Sequence, residues 1–405
     1  MMKRRLSFMG AIICMVAVLT VGCSKTSQSE GSMFRGDLKH TGLYASKGPD
    51  QFHKVKWKFQ TKDRIRTSPV IANQMVYFGS EDRNFYAVDV TTGEQKWTYQ
   101  TDGAIKSTSA VSNQAVYFLS GDGKLYALNA EDGKLNWSYE TDQKDEPRDQ
   151  VDYWQSSPAV SDGIVYFGGG GGNFYAVNAS TGKLAWKKKL SLNGYVSDDL
   201  IPILHSSPAV DQGVIYMGIS GYDVSRQAEP GNVVALDAKS GEQIWISPTM
   251  NAVDSSIVVD DNKLYFGMRN GGIGALDKKT GGFVWKNNAV PYLLGSMALS
   301  GNTLFSGSSD SHKLISLDAA TGEQKWALDT IDAIHASPST DGKTVFVACG
   351  NHYSDENHGM IYAVDAETGT ELWKYQAAGN IYSSPAINQG VLFVGSDDGY
   401  MYAIE

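Results

Sequence analysis

The sequence predicts an all-β protein, an eight-bladed β-propeller of four-stranded blades whose last blade is closed by an N-terminal strand. Three observations predict it. First, a Gly is followed four residues later by Trp seven times: Gly93/Trp97, Gly133/Trp137, Gly182/Trp186, Gly241/Trp245, Gly281/Trp285, Gly322/Trp326 and Gly369/Trp373. Second, a short apolar alternation ending in an acid or amide precedes each step, as in FYAVD at 85–89, LYALN at 125–129 and IYAVD at 361–365. Third, an eighth such segment, MYAIE at 401–405, has no Trp after it, whereas Trp57 stands ahead of the first copy. If the strand around Trp57 completes the last sheet, the array closes into a circle and leaves no open edge. Seven blades plus a partial unit is the alternative count.

Each repeat divides into four short strands, lettered A to D from the axis outward. Strand A surrounds a Ser-Pro-Ala-Val step (157–160, 207–210 and variants), strand B is of the type VYFGS (76–80), strand C is the alternation, and strand D carries the Trp. Between C and D, an Asp or Asn and a Thr-Gly form turn chemistry: the carboxylate bonds nearby amides, and Gly accepts positive φ. The recurrent aromatic, Trp57, Trp97, Trp137, Trp186, Trp245, Trp285, Trp326 and Trp373, falls once per blade on the outer strand. There it is expected to dock between neighbouring sheets, burying roughly 150–250 Å² each. Trp154 lies outside this period, just before a strand A.

Ahead of the array the chain reads as an address. Met1 to Arg5 is basic, Leu6 to Val21 is apolar and of signal-peptide length, and Cys23 is followed by a polar run. The Leu19-Thr20-Val21-Gly22-Cys23 step resembles a bacterial lipobox, in which the Cys is acylated; Thr20 departs from the commoner Leu, and an ordinary signal peptide cut nearby is the alternative. Ser24 after the Cys resembles the outer-membrane sorting pattern. The expected organisation is a lipoprotein signal peptide over 1–22, a flexible tether over 23–32 and the propeller over 33–405. Acylation of Cys23 would hold the chain to a bilayer, each buried CH₂ contributing about 0.8 kcal/mol.

Composition narrows the partners. The balance of 35 Lys+Arg against 44 Asp+Glu gives a net charge of −9, so no basic excess exists to displace counterions and nucleic acid is not the expected partner. Three Cys, two of them in or at the signal, offer neither a disulfide framework nor a cysteine metal site.

The pattern Ala87-Val88-Asp89-Val90-Thr91-Thr92-Gly93-Glu94-Gln95-Lys96-Trp97 resembles the tryptophan-docking repeat of the pyrroloquinoline-quinone-like propellers, and Met33-Phe34-Arg35-Gly36-Asp37-Leu38-Lys39-His40-Thr41-Gly42 resembles the segment that opens many of them. The resemblance covers about residues 33–405 and implies one of two functions. One branch is the quinoprotein dehydrogenases. Their alcohol-oxidising members typically place an adjacent Cys-Cys pair over the quinone and hold a calcium, and neither that pair nor a Cys-x-x-Cys-His haem motif occurs here. The other branch is non-catalytic lipoproteins similar to BamB, the propeller subunit of the outer-membrane β-barrel assembly machinery. It shares the lipobox, the length and the blade count, although the family's partner-docking motif has no clear counterpart in this sequence.

Two features point to a working face. Trp-to-Trp spacing is 40 for 57→97 and 97→137, then 49, 59, 40, 41 and 47. The added residues fall in D–A segments at about 142–153 and 190–202 and in B–C segments at about 219–231 and 350–359, which emerge on one face. The start of every strand A meets the axis on that same face. Two positions before its Ser, the copies read Arg66, Lys106, Gln155, His205, Val253, Leu294, His335 and Tyr382. A ring with two fixed cations and two His could hold an anion or carboxylate; the plainer reading is a solvated channel mouth. Asp142, Asp145, Glu146, Asp149 and Asp152 crowd one loop as a solvated acidic segment or a docking patch for a basic partner. His352, Asp355, Glu356 and His358 sit within seven residues and offer imidazole and carboxylate to a metal, in a spacing that matches no recognised motif.

The expected function is that of a non-catalytic, membrane-anchored scaffold for an envelope protein, without a cofactor, on the outer membrane facing the periplasm if the cell is Gram-negative. The alternatives are a quinone-dependent oxidoreductase and a propeller that binds a small anion or saccharide at the channel mouth.

Overall fold

Eight antiparallel sheets follow one another around an axis, and the circle is closed by the earliest strand. This is the architecture of a computed structural model that describes residues 32–142, 156–193, 195, 200–223, 228–290, 293–350 and 359–405. Blade one runs Val70–Ala72, Met75–Gly79, Asn84–Asp89 and Gln95–Gln100 from the axis outward, each strand pairing with the next. Blade eight takes Ala386–Asn388, Val391–Gly395 and Tyr400–Ile404 from the end of the chain and Val55–Gln60 as its outer strand, with Trp57 opposite Ala403. Among the described residues the only helical element is a single 3₁₀ turn at Gly170–Gly172.

The Asp-x-x-Thr-Gly turns work as their chemistry requires. Asp89 Oδ1 accepts from the amides of Thr91 at 2.9 Å and Thr92 at 3.0 Å, and Gly93 donates back to the Asp89 carbonyl at 2.9 Å. The Thr92 amide bond holds the Asp89 carboxyl below its ordinary value. Gly93 has φ 72°, and a Cβ there would lie 2.7 Å from the Trp57 ring. Glycine is therefore required twice over, for the left-handed turn and for the indole that lies on it. Each indole crosses to the following blade and donates to a carbonyl in that blade's C–D turn: Trp57 to Val90 at 3.2 Å, Trp97 to Ala130 at 3.1 Å, Trp137 to Ala179 at 3.0 Å and Trp186 to Ala238 at 3.1 Å. Trp245, Trp285 and Trp326 repeat this onto Lys278, Ala319 and Ala366. Blade eight has no such turn, and there Trp373 donates instead to Pro49 of the N-terminal segment at 2.8 Å.

The apolar core is correspondingly divided into layers between adjacent blades rather than gathered in one centre. In the layer between blades one and two, Phe85 and Phe118 stack with ring centroids 4.1 Å apart.

Blade four departs from the plan. Its strand B, Val214–Asp223, is long enough to pair both with strand A, Ala209–Asp211, and with an extra strand, Leu200–Ile203. The insertions expected as loops at about 190–202 and 219–231 are thus partly sheet: the second extends strands B and C, and the first supplies the added strand.

The opening segment, residues 32–49, is threaded across the inner ends of the blades. Strand A amides of Val111, Val210, Val259, Leu299 and Thr340 donate to the carbonyls of Ser32, Leu38, Lys39, Thr41 and Gly42 at 2.7–2.9 Å, and Gly390 donates to Lys47. Lys39 pairs with Asp211 at 3.3 Å. Arg35 and His40 are buried within the crossing. Arg35 Nη2 donates to the Met297 carbonyl at 2.7 Å, and burial lowers its pKa to about 10. The chain fits around that side chain only because residue 42 is glycine: a Cβ there would lie 2.1 Å from Arg35 Nη2.

Candidate functional site

Immediately before each strand A stand two small residues: Thr67-Ser68, Ser107-Thr108, Ser156-Ser157, Ser206-Ser207, Ser255-Ser256, Gly295-Ser296, Ala336-Ser337 and Ser383-Ser384. In most blades the first turns outward and fastens strand A to strand B. Thr67, Ser156, Ser206, Ser255 and Ser383 accept the amides of Gly79, Gly168, Gly218, Gly267 and Gly395 at 2.9–3.1 Å. The second turns to the axis and joins the blades into a closed ring. Ser68 N donates to Thr108 Oγ1 at 3.0 Å, Thr108 N to Ser157 Oγ at 3.2 Å, Ser157 N to Ser207 Oγ at 3.0 Å and Ser207 N to Ser256 Oγ at 2.9 Å. The circuit continues from Ser256 to Ser296 and Ser296 to Ser337 at 2.9 Å, then Ser337 to Ser384 and Ser384 to Ser68 at 3.0 Å. All eight bonds run in the same sense around the axis.

These eight hydroxyls line a cavity of about 50 Å³. Phe34 of the opening segment also lines it. The order along the axis follows from the chain: mouth residues lie two positions before the ring hydroxyls, and the amides that hold the opening segment lie three positions after them. The opening segment therefore closes the end of the channel away from the mouth.

The mouth itself contains Arg66, Lys106, His205, Asp254, Leu294, His335 and Tyr382. Asp254 corrects the expected ring member Val253. In blade five the second small residue is Ser256, so the position two before it is Asp254, while Val253 is fully buried in the core between blades four and five. Gln155 and Trp154 lie outside the described residues, as do Cys23, the acidic residues from Asp145 to Asp152, and His352, Asp355, Glu356 and His358. Among the described residues no group of three or more His, Cys, Asp or Glu is placed to hold a metal ion.

The charges at the mouth are paired more fully than their spacing suggests. Arg66 forks onto Asp397, Nε to Oδ1 at 3.0 Å and Nη2 to Oδ2 at 2.8 Å, lies 3.5 Å from Glu81, and stacks over Tyr382 at 4.7 Å. Burial alone would weaken this cation, but the bonds to Asp397 outweigh it and hold the guanidinium above its ordinary value. Arg66 is thus a braced residue of the wall, not one of two cations standing ready for a ligand. Across the mouth, Asp254 is buried and accepts from Ser220 Oγ at 2.6 Å and Arg269 Nη2 at 2.6 Å, with His205 Nδ1 at 3.3 Å. Arg269 Nη1 reaches on to Glu229 at 3.0 Å, tying the B–C connection of blade four to blade five. Burial favours the neutral acid, yet His205, Arg269 and Ser220 together hold the Asp254 carboxyl well below the usual carboxylate range. His335 packs on Tyr382 with ring centroids 5.5 Å apart.

Sequence reasoning treated the Ser before Pro as framework and missed the ring it builds. The signal was present: a hydroxyl occurs at that position in all eight copies even where the Pro is replaced, as in Thr108-Ser109, Ser256-Ile257 and Ser296-Met297. Arg269 lies at the end of a strand B, where nothing in the repeat marks it.

Solved structures of similar shape come from two kinds of protein. BamB from Moraxella catarrhalis aligns with a TM-score of 0.67 at 16% identity, covering 87% of this chain and 99% of that one. Quinohemoprotein alcohol dehydrogenase from Comamonas testosteroni aligns with a TM-score of 0.76 at 14% identity, covering 94% and 81%. A europium-containing methanol dehydrogenase aligns at 0.70 and 16% identity, covering 90% of each chain. At these identities the likeness is one of fold. No curated protein matches the chain by sequence. The sequence model described as outer membrane protein assembly factor BamB matches residues 43–219, 229–353 and 330–405, nearly the whole propeller, and the chain belongs to that family.

Proposed function

We propose that this protein is a non-catalytic, membrane-tethered propeller that holds a protein partner at the cell envelope and serves outer-membrane protein assembly. Family membership carries the reading. The architecture supports it: residues 32–49 cross one end of the axis, while the mouth and the extra strand Leu200–Ile203 belong to the other. Variable additions on a rigid scaffold are where partners are usually met. Among the described residues no helix is long and apolar enough to cross a membrane. In this reading the anchor is an acyl chain on Cys23, and the protein sits on the outer membrane facing the periplasm.

Two outcomes are expected. Cys23→Ser should move the protein from the membrane pellet to the soluble fraction with an unchanged melting temperature; a variant that still sediments in high salt is held by something other than lipid. Crosslinking in intact cells, read by mass spectrometry, should give a partner whose yield falls when Asp145 and Glu146 are reversed to Lys. Reversal of Glu94 and Glu323, beside the turns of the opposite face, should leave the yield alone. With the purified partner, the loop variant should associate more slowly, and the difference should shrink at 1 M salt, where the Debye length is about 3 Å. Equal losses from both faces would overturn the assignment of the working side.

A quinone-dependent oxidoreductase is the second reading, supported by the fold it shares with the two dehydrogenases. In this reading the mouth side chains Arg66, Lys106, His205, Asp254, His335 and Tyr382 would surround the quinone. Dye-linked alcohol oxidation by the protein mixed with the quinone and calcium would establish this reading and remove the scaffold one.

A further inference from the structure

The geometry points to a binding site for one small tetrahedral oxyanion, of the size of inorganic phosphate or sulfate, held on the axis by the ring of eight hydroxyls. The first argument is the hydrogen-bond count at each oxygen. Every ring hydroxyl accepts a backbone amide from the preceding blade. Accepting that bond uses a lone pair and leaves the hydroxyl proton to be donated, and it polarises the O–H so that it becomes a better donor. Among the described residues no ring hydroxyl donates to another, and all eight residues border the same cavity. What a circle of converging donors recognises is an acceptor.

Size and charge select among acceptors. At roughly 10–15 Å³ for each water-sized occupant, a cavity of about 50 Å³ holds three to five such bodies. A tetrahedral oxyanion has five non-hydrogen atoms and fits; a sugar ring, with more than twice as many, does not. A metal cation would look for a carboxylate, and among the described residues the one carboxylate in the lining, Asp254, is already engaged by Ser220, Arg269 and His205. Positive charge stands on both sides of the ring instead. Lys106 lies in the mouth wall, and Arg35 is fixed to the carbonyl of Met297, the residue directly after ring member Ser296. Carboxylates elsewhere at the mouth, Glu81, Asp397 and Glu229, brace Arg66 and Arg269, so binding rests on directed donors more than on net charge, and a modest affinity follows.

The test uses the full chain in detergent and inorganic phosphate as the probe, followed by isothermal titration calorimetry and ³¹P line broadening. One phosphate per chain is expected, displaced by sulfate and untouched by glycerol. Thr108→Val keeps the shape and removes one hydroxyl; Ser296→Ala removes another. Each should weaken binding about ten- to a hundredfold, the usual weight of a hydrogen bond to a charged group. The two are made separately as well as together, with the melting temperature showing which variants remain folded. Absence of saturable phosphate binding by the native chain, binding unchanged in a folded ring variant, or displacement of phosphate by glycerol would each overturn the site.

Discussion

A chain lacking residues 32–59 should melt at least 10 °C below the intact protein. The reason is that several losses coincide. Trp57 alone fills the space over Gly93, packs on Phe393 at 5.7 Å and donates to Val90, and truncating such a buried aromatic costs about 3–5 kcal/mol. Its strand also covers the edge of Tyr400–Ile404, so the deletion uncovers a row of unpaired amides and carbonyls. Removal of the crossing segment further strips the bonds to strands A of blades two, four, five, six and seven, and takes Pro49 away from Trp373. Calorimetry of three proteins separates the terms: the deletion, Trp57→Ala with the segment retained, and Trp97→Ala as an ordinary blade. The two single changes should resemble one another and the deletion should exceed both. A deletion protein that melts with the native one would mean that the circle does not depend on its closing strand.

The crossing segment should also make the protein acid-labile well above the range of carboxylates. His40 is buried against Arg35 and Phe34 and bonds the Ile257 backbone. Burial first, and then the Arg35 charge, lowers its pKa from 6.5 to about 3. Between those two values the unfolded chain carries a proton that the folded chain refuses. Stability is therefore complete above about pH 6.5 and falls by about 1.4 kcal/mol for each pH unit below it, until the folded histidine itself titrates near pH 3. From pH 6.5 to 4.5 the loss is about 2 kcal/mol, a drop of a few degrees in melting temperature. Asp254 does not contribute in this window. Its carboxyl is depressed, so its stabilisation is full above the ordinary carboxylate value and is lost as the pH falls below that value towards the folded one. His40→Gln retains a donor and has no such titration, so its melting temperature should fall less between pH 6.5 and 4.5 than that of the native chain. Parallel curves for the two proteins would show that His40 is not the group that titrates.

How much of this was legible in the sequence depended on whether a feature repeats. The blades, their strand order and the exchange of an outer strand across the circle were readable because Gly-x-x-x-Trp puts a large side chain and a turn glycine at fixed separation in seven of the units, and two such residues have little freedom in where they pack. The crossing segment was visible only as a resemblance. Its hold on the strands is by backbone amide and carbonyl, which any residue supplies, so no side-chain pattern announces it. The mouth fell in between. Seven of its eight positions could be counted from a Ser or Thr, but in blade five the doublet Ser255-Ser256 without a following Pro put the register one residue early, and an Asp that organises one side of the channel was read as a Val. Arg66 lines the mouth with its charge met by Asp397, a residue of blade eight that reaches it only when the circle closes and that no local pattern pairs with it.

The exchange of strands at blade eight sets the tempo of folding. Residues 55–60 are made early, and their partners at 400–404 are made after every other described strand. Seven sheets can form from neighbouring segments as they emerge, but the eighth requires a loop of nearly the whole chain to close, and the hydroxyl ring, whose final link joins Ser384 to Ser68, closes with it. Contacts of such sequence separation come late and slowly. Until then the strand that carries Trp57 and Phe59, alternating with Lys56 and Lys58, waits without its sheet, and its unpaired edge is open to misassociation.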